Sequence, residues 1–317
     1  MPNNNTLQFA KNNKANEFYT QAKDVEAEVS HYKDYFQGKI VYCNCDSEQS
    51  AFWRFFKANF VNYGLKGLFA TSQSPNGGIL LMFNGNEVKK YRLKGDGTFT
   101  SQECIKILRR CDIVCTNPPF SSFPLFVKTV VENGKDLLAI GRQTALSNQY
   151  IFNLFKQGKL FAGYGFKRDC AYFLNNQYND YASNKDRHEE GMIRVAGVIW
   201  YTTIRTERNS QSLELTKHYT TNEHNYPKYD DYDAINVDNI KDIPDDYYKP
   251  IGVPITYLKH FNPEQFELLG LDSDFTKNGR FNLNGEKKFA RAVIKRKENP
   301  LTQEFNDLLN RMNDIKK

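Results

Sequence analysis

The chain has 317 residues and a mass of 36.9 kDa, which fits one large α/β domain with an appended region or two modest domains. Hydrophobic residues make up 40% and charged residues 25%, so the chain can bury a core, and its net charge of +6 permits a polyanionic partner without requiring one. No apolar run approaches the ~20 residues of a spanning helix, and no signal-peptide core is present at the start, so we expect a cytoplasmic protein without membrane contact.

The cysteines and histidines form no metal-binding pattern. Six cysteines occur without a C-x-x-C pair, and five histidines are scattered along the chain. A structural zinc ion needs four ligands at short, regular spacings. We therefore predict reduced thiols in or near a core, and no metal.

Helical and strand-like segments alternate over the first two thirds of the chain. Residues 1–16 are rich in Asn and poor in large apolar groups, which predicts a mobile arm. Helices are predicted at residues 17–36, 51–64, 101–110 and 122–133. Strands are predicted at residues 39–45, 67–72, the two arms of a hairpin over 78–93, 111–116, 135–141 and 192–204. At least five of these strands are expected to be parallel with crossover helices, which is a doubly wound α/β sheet.

Composition changes after Arg205. Residues 228–246 contain seven Asp and two Lys, which predicts an irregular acidic surface loop. Residues 286–297 reverse this charge, with six Lys or Arg and one Glu. Residues 301–317 have apolar positions on one side of a short amphipathic helix.

The chemically most informative segment is Asn117-Pro118-Pro119-Phe120, directly after the buried strand predicted at residues 111–116. Open α/β sheets place their sites at the carboxyl ends of parallel strands. Two prolines fix the backbone and remove two N–H donors, so the Asn117 side-chain oxygen and the Pro118 carbonyl become acceptors that suit the two N–H bonds of an exocyclic amino group. Phe120 offers a stacking face for a planar ring. The alternative is a rigid strand-to-helix turn with no chemical role.

Asn-Pro-Pro-Phe resembles the catalytic motif of S-adenosylmethionine-dependent amino-methyltransferases, above all those that act on adenine in DNA. Four further segments resemble the EcoRI-type adenine-specific DNA methyltransferase family: Glu17-Phe18-Tyr19-Thr20-Gln21, Val41-Tyr42-Cys43-Asn44-Cys45-Asp46, Gly252-Val253-Pro254-Ile255-Thr256-Tyr257 and Phe261-Asn262-Pro263-Glu264-Gln265-Phe266. These segments are distributed along residues 17–297, so the resemblance covers nearly the whole chain.

This resemblance implies a Rossmann-like class I methyltransferase sheet that forms an S-adenosylmethionine-binding catalytic domain at residues 17–205. A target-recognition and C-terminal region follows at 206–317. The implied product is N(6)-methyladenine, made on an adenine flipped out of duplex DNA. The resemblance also implies the cofactor-binding and base-holding residues. Those expected at the cofactor are Phe18, Tyr19, Thr20, Asn44, Asp46, Asp96 and Asn117, and those expected at the target base are Asn117, Pro118, Pro119 and Phe120.

One departure from the usual cofactor loop concerns the turn after the first strand. It reads Asp46-Ser47-Glu48-Gln49-Ser50, without glycine, and the second strand ends Ala70-Thr71-Ser72, without a carboxylate for the ribose hydroxyls. Asp46 is our candidate for ribose contact, and a solvated turn Asp is the alternative.

DNA contacts are expected outside the motif. Arginine reads guanine and amide side chains read adenine in the major groove, so the candidates for base contact are Arg142, Gln143, Asn148, Arg205, Arg208, Asn209 and Gln211. Phosphate contact is one interpretation of Lys287, Lys288, Arg291, Lys295, Arg296 and Lys297, and a solvated charged face is the other. We expect a monomer, with a cognate restriction endonuclease as a possible functional counterpart only.

Two rival functions stay open from the sequence. The first is an amino-methyltransferase that acts on RNA or on a protein. The second is a catalytically silent nucleic-acid-binding protein with the same fold. The segments around Phe18 and Phe120 favour DNA adenine.

Overall fold

The computed structural model describes residues 20–74, 76–166, 170–174 and 192–297, with the side chains of residues 174, 192 and 193 left out. The predicted N-terminal arm, Phe18, Tyr19 and the predicted helix at 301–317 lie outside this range. The chain divides into two compact units, Met1–Ile151 with Leu160–Arg205, and Phe152–Lys159 with Thr206–Lys317.

The first unit is built on an eight-stranded sheet in the order β4-β3-β2-β1-β5-β6-β10-β7. The strands of this sheet are β1 Ile40–Asn44, β2 Gly67–Ser72, β3 Ile79–Phe83, β4 Val88–Arg92, β5 Ile113–Thr116, β6 Asp136–Arg142, β7 Phe161–Ala162 and β10 Val198–Thr202. Two further strands, β8 Cys170–Leu174 and β9 Met192–Ala196, form a separate hairpin. Strands β2, β1, β5 and β6 are parallel, and the four outer strands are antiparallel to their neighbours.

The α/β class is confirmed, but the predicted count of at least five parallel strands is wrong, because the described sheet has four. The six residues between β2 and β3 are too few for a crossover, so β3 turns back antiparallel. The strand predicted at 192–204 is broken at Gly197, which has a φ of 67°. Its first half pairs with β8 and its second half joins the main sheet.

Helices precede, separate and follow the central strands of this unit along the chain. Their bounds are α1 Ala22–Val29, continued by a 3-10 helix over Ser30–Phe36, then α2 Ala51–Ala58, α3 Gln102–Arg110 and α4 Phe123–Glu132, with α5 Gln149–Lys156 at the division between the units. The Ser50 and Ser101 hydroxyls accept the backbone N–H of Trp53 and Cys104 and so begin α2 and α3. All four residues of β5 are buried, as expected for a parallel strand covered on both faces.

The second unit contains a four-stranded sheet in the order β11-β12-β16-β13 and a hairpin, β14–β15. The bounds are β11 Ile235–Asn236, β12 Ile251–Pro254, β13 Phe266–Leu271, β14 Asn282–Leu283, β15 Glu286–Lys287 and β16 Arg291–Arg296. Among the residues described in both units, no helix is long and apolar enough to cross a membrane.

The acidic segment 228–246 is largely irregular, as predicted, but it is not only a surface loop. It supplies β11, and Ala234, Val237 and Ile243 are buried. Its carboxylates are used internally, since Asp230 accepts the backbone N–H groups of Asn284 at 3.1 Å and Gly285 at 2.8 Å. The apolar residues between the aspartates therefore fold the segment into the unit, and its charge serves hydrogen bonding.

Candidate active site

The predicted motif residues meet at the carboxyl ends of β1 and β5. These strands are parallel neighbours at the centre of the sheet. The chain passes from β1 to β2 on one side, whereas β5 lies on the other side of β1. Such a change of direction opens a crevice above the strand ends, where open α/β sheets bind ligands.

The turn after β1 begins with a backbone conformation that usually requires glycine. Cys45 has a φ of 75°, in the left-handed region that residues with a side chain seldom adopt. The next residue, Asp46, donates its backbone N–H to the Thr71 carbonyl of β2 at 2.9 Å and is 6% exposed. The turn therefore lacks glycine in sequence but keeps a glycine-like geometry, held by β2.

Thr116, the last residue of β5, connects this turn to the Asn-Pro-Pro-Phe segment. Its hydroxyl oxygen lies 2.5 Å from the Oδ2 atom of Asp46 and is also hydrogen-bonded to the Asn44 carbonyl. Burial raises the pKa of Asp46 to about 7, against hydrogen bonds from Thr116 and Ser50 that lower it. Sequence reasoning missed Thr116, although a hydroxyl in the last position of a buried apolar strand was a usable signal.

Two buried oxygens, in residues predicted to bind the cofactor, lack a hydrogen-bond partner within the described residues. They are Oδ1 of Asn44 and Oγ1 of Thr20, in residues that are 1% and 9% exposed. A buried acceptor without a partner costs about 1–3 kcal/mol. Both positions therefore suit a ligand that brings N–H or O–H donors.

The Asn-Pro-Pro-Phe segment leaves β5 and enters α4 through a single short turn. Asn117 is half-buried, its amide oxygen is shielded from solvent, and Pro118 is buried. Phe120 begins a 3-10 turn over Phe120–Ser122 that leads directly into α4. The prolines thus fix the direction of the chain directly after Asn117.

Hairpin β8–β9 contacts Gln21, the last residue of the N-terminal motif, and Phe120. The Phe120 ring meets the Phe173 ring edge to face, with centroids 6.2 Å apart. The neighbouring Tyr172 accepts a 2.6 Å hydrogen bond at its carbonyl from the Gln21 side chain. Thr20, next to Gln21, and Phe120 are therefore linked through two consecutive residues of β8, which the sequence did not indicate.

Asp96 lies on the same edge of the sheet, beside the end of β2. Its carbonyl accepts the Ser74 N–H at 2.9 Å, and its exposed carboxylate accepts the Thr98 N–H at 2.9 Å and the Thr98 hydroxyl at 2.7 Å. These hydrogen bonds lower the pKa of Asp96. A carboxylate oriented by a neighbouring threonine can accept further hydrogen bonds.

Of the predicted base contacts, two lie at the carboxyl edge of the sheet and two make structural hydrogen bonds. Arg142 ends β6 and Gln143 follows it, so both lie at the carboxyl edge that also carries Asn117, because β6 is parallel to β5. The Asn148 side-chain oxygen accepts the N–H groups of Tyr150 and Ile151 and so caps α5. Asn209 has a comparable structural task, since its side-chain oxygen accepts from the Thr206 N–H and hydroxyl.

The basic segment 286–297 is partly neutralised inside the second unit. The exposed side chains among the other predicted DNA contacts are Arg205, Gln211 and Lys287, and Arg208 is half-buried. Lys288 lies 3.1 Å from the Asp238 carboxylate. The phosphate-contact prediction for Arg291 is wrong, because its side chain is 5% exposed and is paired with Asp238. Lys295 and Lys297 are exposed, and the Arg296 guanidinium lies 5.2 Å from the Tyr248 ring centroid.

A sheet with four parallel central strands, one of which leads directly into Asn-Pro-Pro-Phe, defines the class: the protein has a class I methyltransferase fold with an amino-methyltransferase motif. The family model "Adenine-specific methyltransferase EcoRI" matches residues 6–86 and 81–311. The chain belongs to this family of adenine-specific methyltransferases, so the resemblance predicted from its motifs is confirmed.

Three relatives match nearly the whole chain. Type II methyltransferase M.MpnI of Mycoplasma pneumoniae is 38% identical over 92% of this chain and 98% of its own length. Type II methyltransferase M.MgeORF184P of Mycoplasma genitalium is 36% identical over 91% of this chain and 98% of its own length. Type II methyltransferase M.EcoRI of Escherichia coli is 36% identical over 93% of this chain and 97% of its own length. No solved structure gives a significant match.

Proposed function

We propose that the protein is a site-specific DNA adenine methyltransferase that moves a methyl group from S-adenosylmethionine to the exocyclic amino nitrogen of an adenine in duplex DNA. One observation carries this function: Asn117-Pro118-Pro119-Phe120 leaves buried β5 directly beside the Asn44–Asp46 turn, with Thr116 bonded to both Asn44 and Asp46. The base-holding and cofactor-holding segments are thus adjacent. The names of the three relatives, all type II methyltransferases, support the same activity.

The residues at the strand ends fit S-adenosylmethionine. The unpartnered oxygens of Asn44 and Thr20 are acceptors for its amino or hydroxyl donors, and Asp46 supplies a carboxyl group at the same turn. Asp96 offers a second carboxylate beside the end of β2 for the ribose or adenine end. Phe18 and Tyr19 stay predicted members of this site. When bound, the cofactor supplies an activated methyl group on a sulfonium centre.

Asn117 and Phe120 then act on the target base. The lone pair of an adenine amino nitrogen is delocalised into the ring, which makes the nitrogen a poor nucleophile. Two acceptors, the Asn117 side-chain oxygen and the Pro118 carbonyl, each accept one amino hydrogen and favour a nitrogen with an available lone pair. Phe120, held against Phe173, stacks on the ring. Catalysis by this site consists of orientation and electrostatics.

The target adenine has to leave the duplex to reach these residues, at a cost of a few kcal/mol that stacking and edge contacts recover. Arg142 and Gln143 are candidates to contact the duplex, because they lie on the same sheet edge as Asn117. The second unit, with Arg208, Lys287 and Lys288, is the proposed target-recognition region. We propose that the enzyme acts as a cytoplasmic monomer.

Methyl transfer from radiolabelled S-adenosylmethionine to duplex DNA, structured RNA and a protein mixture tests the substrate class. The account predicts label in DNA, recovered as N(6)-methyladenine, and background levels in the other two. Label in RNA or protein but not in DNA would support the first rival function. Failure of the purified protein to bind S-adenosylmethionine would support the silent nucleic-acid-binding protein instead.

A further inference from the structure

The Thr116 hydroxyl makes two short contacts with oxygen atoms. One is with Oδ2 of Asp46 at 2.5 Å and the other is with the Asn44 carbonyl. A hydroxyl has one proton to donate, and neither a carbonyl nor an ionised carboxylate has any. If Asp46 were ionised, one of these contacts would place two oxygens at hydrogen-bonding distance with no proton between them. A neutral Asp46 removes the conflict, since its own O–H then donates to Thr116.

The surroundings of Asp46 supply no positive charge that would favour the ion. The groups that interact with it are the thiols of Cys43 in β1, Cys45 directly after β1 and Cys115 in β5, together with the Ser50 hydroxyl before α2. Burial raises the pKa of all three thiols, so they are neutral as well. Among the described residues, the groups that shift the pKa of Asp46 include no Lys or Arg.

We infer that Asp46, Thr116 and the Asn44 carbonyl form a proton-carrying chain, in which Asp46 is a neutral acid in the cofactor-free protein and gives up its proton when the cationic methyl donor binds. This inference rests on the proposed function. The step is balanced: the O–H bond of Asp46 breaks, its electron pair stays on the carboxylate, and the proton passes to buffer. The positive charge that replaces the proton is the ammonium or sulfonium group of the cofactor. Thr116 then turns its O–H from the Asn44 carbonyl to the new carboxylate, and the Asn44 carbonyl gives up that hydrogen bond.

This makes Thr116 a positioning residue. It directly precedes Asn117, so a change in the hydrogen bond at Thr116 occurs next to the residue that holds the target amino group. The proton on Asp46 also prevents a buried negative charge when no cofactor is present, which would otherwise be costly. Before binding the site holds a neutral acid, and after binding it holds a carboxylate beside a cation, so its net charge does not change.

Titration calorimetry of S-adenosylmethionine binding without DNA counts the released protons, because no methyl transfer follows. The observed heat is measured in buffers of low and high ionisation enthalpy, and the slope against that enthalpy gives protons per bound ligand. For a group with a pKa of about 7, the account predicts release of about 0.9 proton at about pH 6, where the amino group of the ligand is already protonated. Asp46→Asn should show no buffer dependence at this pH. Asp34→Asn, which changes an exposed carboxyl of the same unit, should match the wild type.

A second measurement needs no ligand. The infrared C=O band of a protonated carboxylic acid should be present in the free wild-type protein at about pH 6 and lost with a midpoint near pH 7. Asp46→Asn should lack this titrating band. Thr116→Val should shift its frequency, because the acceptor for the acid proton is removed, and Thr116→Ser should restore it. These readouts hold for variants that bind the cofactor weakly.

The outcomes separate this inference from the proposed function. Wild-type binding with the same heat in every buffer at about pH 6, or no titrating acid band, overturns the proton-carrying chain and leaves the methyltransferase assignment standing. A wild-type protein that binds no S-adenosylmethionine overturns both. Proton release that persists in Asp46→Asn assigns the proton to another group and overturns the role of Asp46.

Discussion

The Phe120 ring lies edge to face on the Phe173 ring, with centroids 6.2 Å apart and an angle of 70° between the planes. This contact ties the end of the Asn-Pro-Pro-Phe segment to β8, whose adjacent residue Tyr172 is bonded to Gln21. The proposed stacking surface for the base therefore depends on a hairpin far along the chain from the motif. Its geometry can be disturbed without changing the motif itself.

Phe173→Leu should lower methyl transfer while leaving cofactor affinity nearly unchanged. Loss of the edge contact lets the Phe120 ring tilt, and a misplacement of about 1 Å can cost roughly a hundredfold in rate, so we expect a fall in kcat/KM of about ten- to a hundredfold for DNA. Steady-state kinetics with duplex DNA measure it. Tyr91→Leu, at a ring that is 48% exposed on β4, is the matched control, and an equal loss there would contradict the role of Phe173.

Asn117→Ala should nearly abolish turnover and retain S-adenosylmethionine binding. The substitution removes one acceptor for the amino group, and the loss of one such catalytic hydrogen bond typically costs about 10²–10³ in kcat. Single-turnover rates and calorimetry on the same preparation separate the two effects. Asn86→Ala, in the exposed β3–β4 turn, should behave as the wild type. A wild-type rate in the Asn117 variant would rule out this mechanism.

The buried Asp46 should make the cofactor-free protein less stable as the pH rises. Its pKa is about 7 in the folded protein and about 3.8 when unfolded, so the folded state holds the additional proton between these values. The stabilisation from that proton is complete below about pH 3.8 and is lost as the pH rises towards 7. Thermal unfolding of the wild type and Asp46→Asn at about pH 5 and pH 8 tests this sign. The unfolding temperature of the wild type relative to the variant should fall between these two pH values, and an increase would contradict the raised pKa.

Asp238 should stabilise the second unit through Arg291. The Arg291 side chain is 5% exposed and pairs with Asp238, so Asp238→Ala leaves a buried guanidinium with fewer partners, at a cost of about 1–3 kcal/mol in the free energy of unfolding. Denaturant unfolding measures the change. Asp233→Ala removes an exposed partner of Lys228 and should have no measurable effect. Equal stability of the two variants would show that the Arg291 pair is not needed.

Arg142→Ala should weaken specific DNA binding. Its position at the end of β6, on the edge shared with Asn117, suits a contact with the duplex, and one bidentate base contact is worth about 1–3 kcal/mol, or about five- to 150-fold in Kd. Fluorescence anisotropy on cognate and scrambled duplexes at several salt concentrations measures it. A loss confined to the cognate duplex indicates base contact, and a flatter salt dependence on both indicates phosphate contact. Unchanged binding on both would remove Arg142 from the interface.

Local patterns were sufficient to predict the central sheet and the motif position. The buried run before Asn117 and the two prolines determine a strand end and a rigid exit, and the prediction needed no distant contact. The turn at Cys45 was not predictable, because its positive φ is maintained by the bond from Asp46 to Thr71 of β2. The same holds for Phe173, whose contact with Phe120 depends on the hairpin pairing.

Charge patterning was the least reliable guide. It predicted that residues 228–246 would be a solvated loop, whereas Asp238 there neutralises Arg291 and Lys288 from the basic segment. Each segment was considered alone, and opposite charges far apart in sequence indicate a pair only once the fold is known. The net charge of +6 is thus a poor measure of what the surface offers to DNA.

Long-read modification sequencing of DNA from cells that express the wild-type chain or the Asn117→Ala variant tests the central claim most directly. The account predicts methylated adenine at one recurring sequence in the wild-type cells and unmodified adenine at that sequence in the variant cells. Absence of methylated adenine in cells with confirmed wild-type protein, or equal methylation in both, would contradict it.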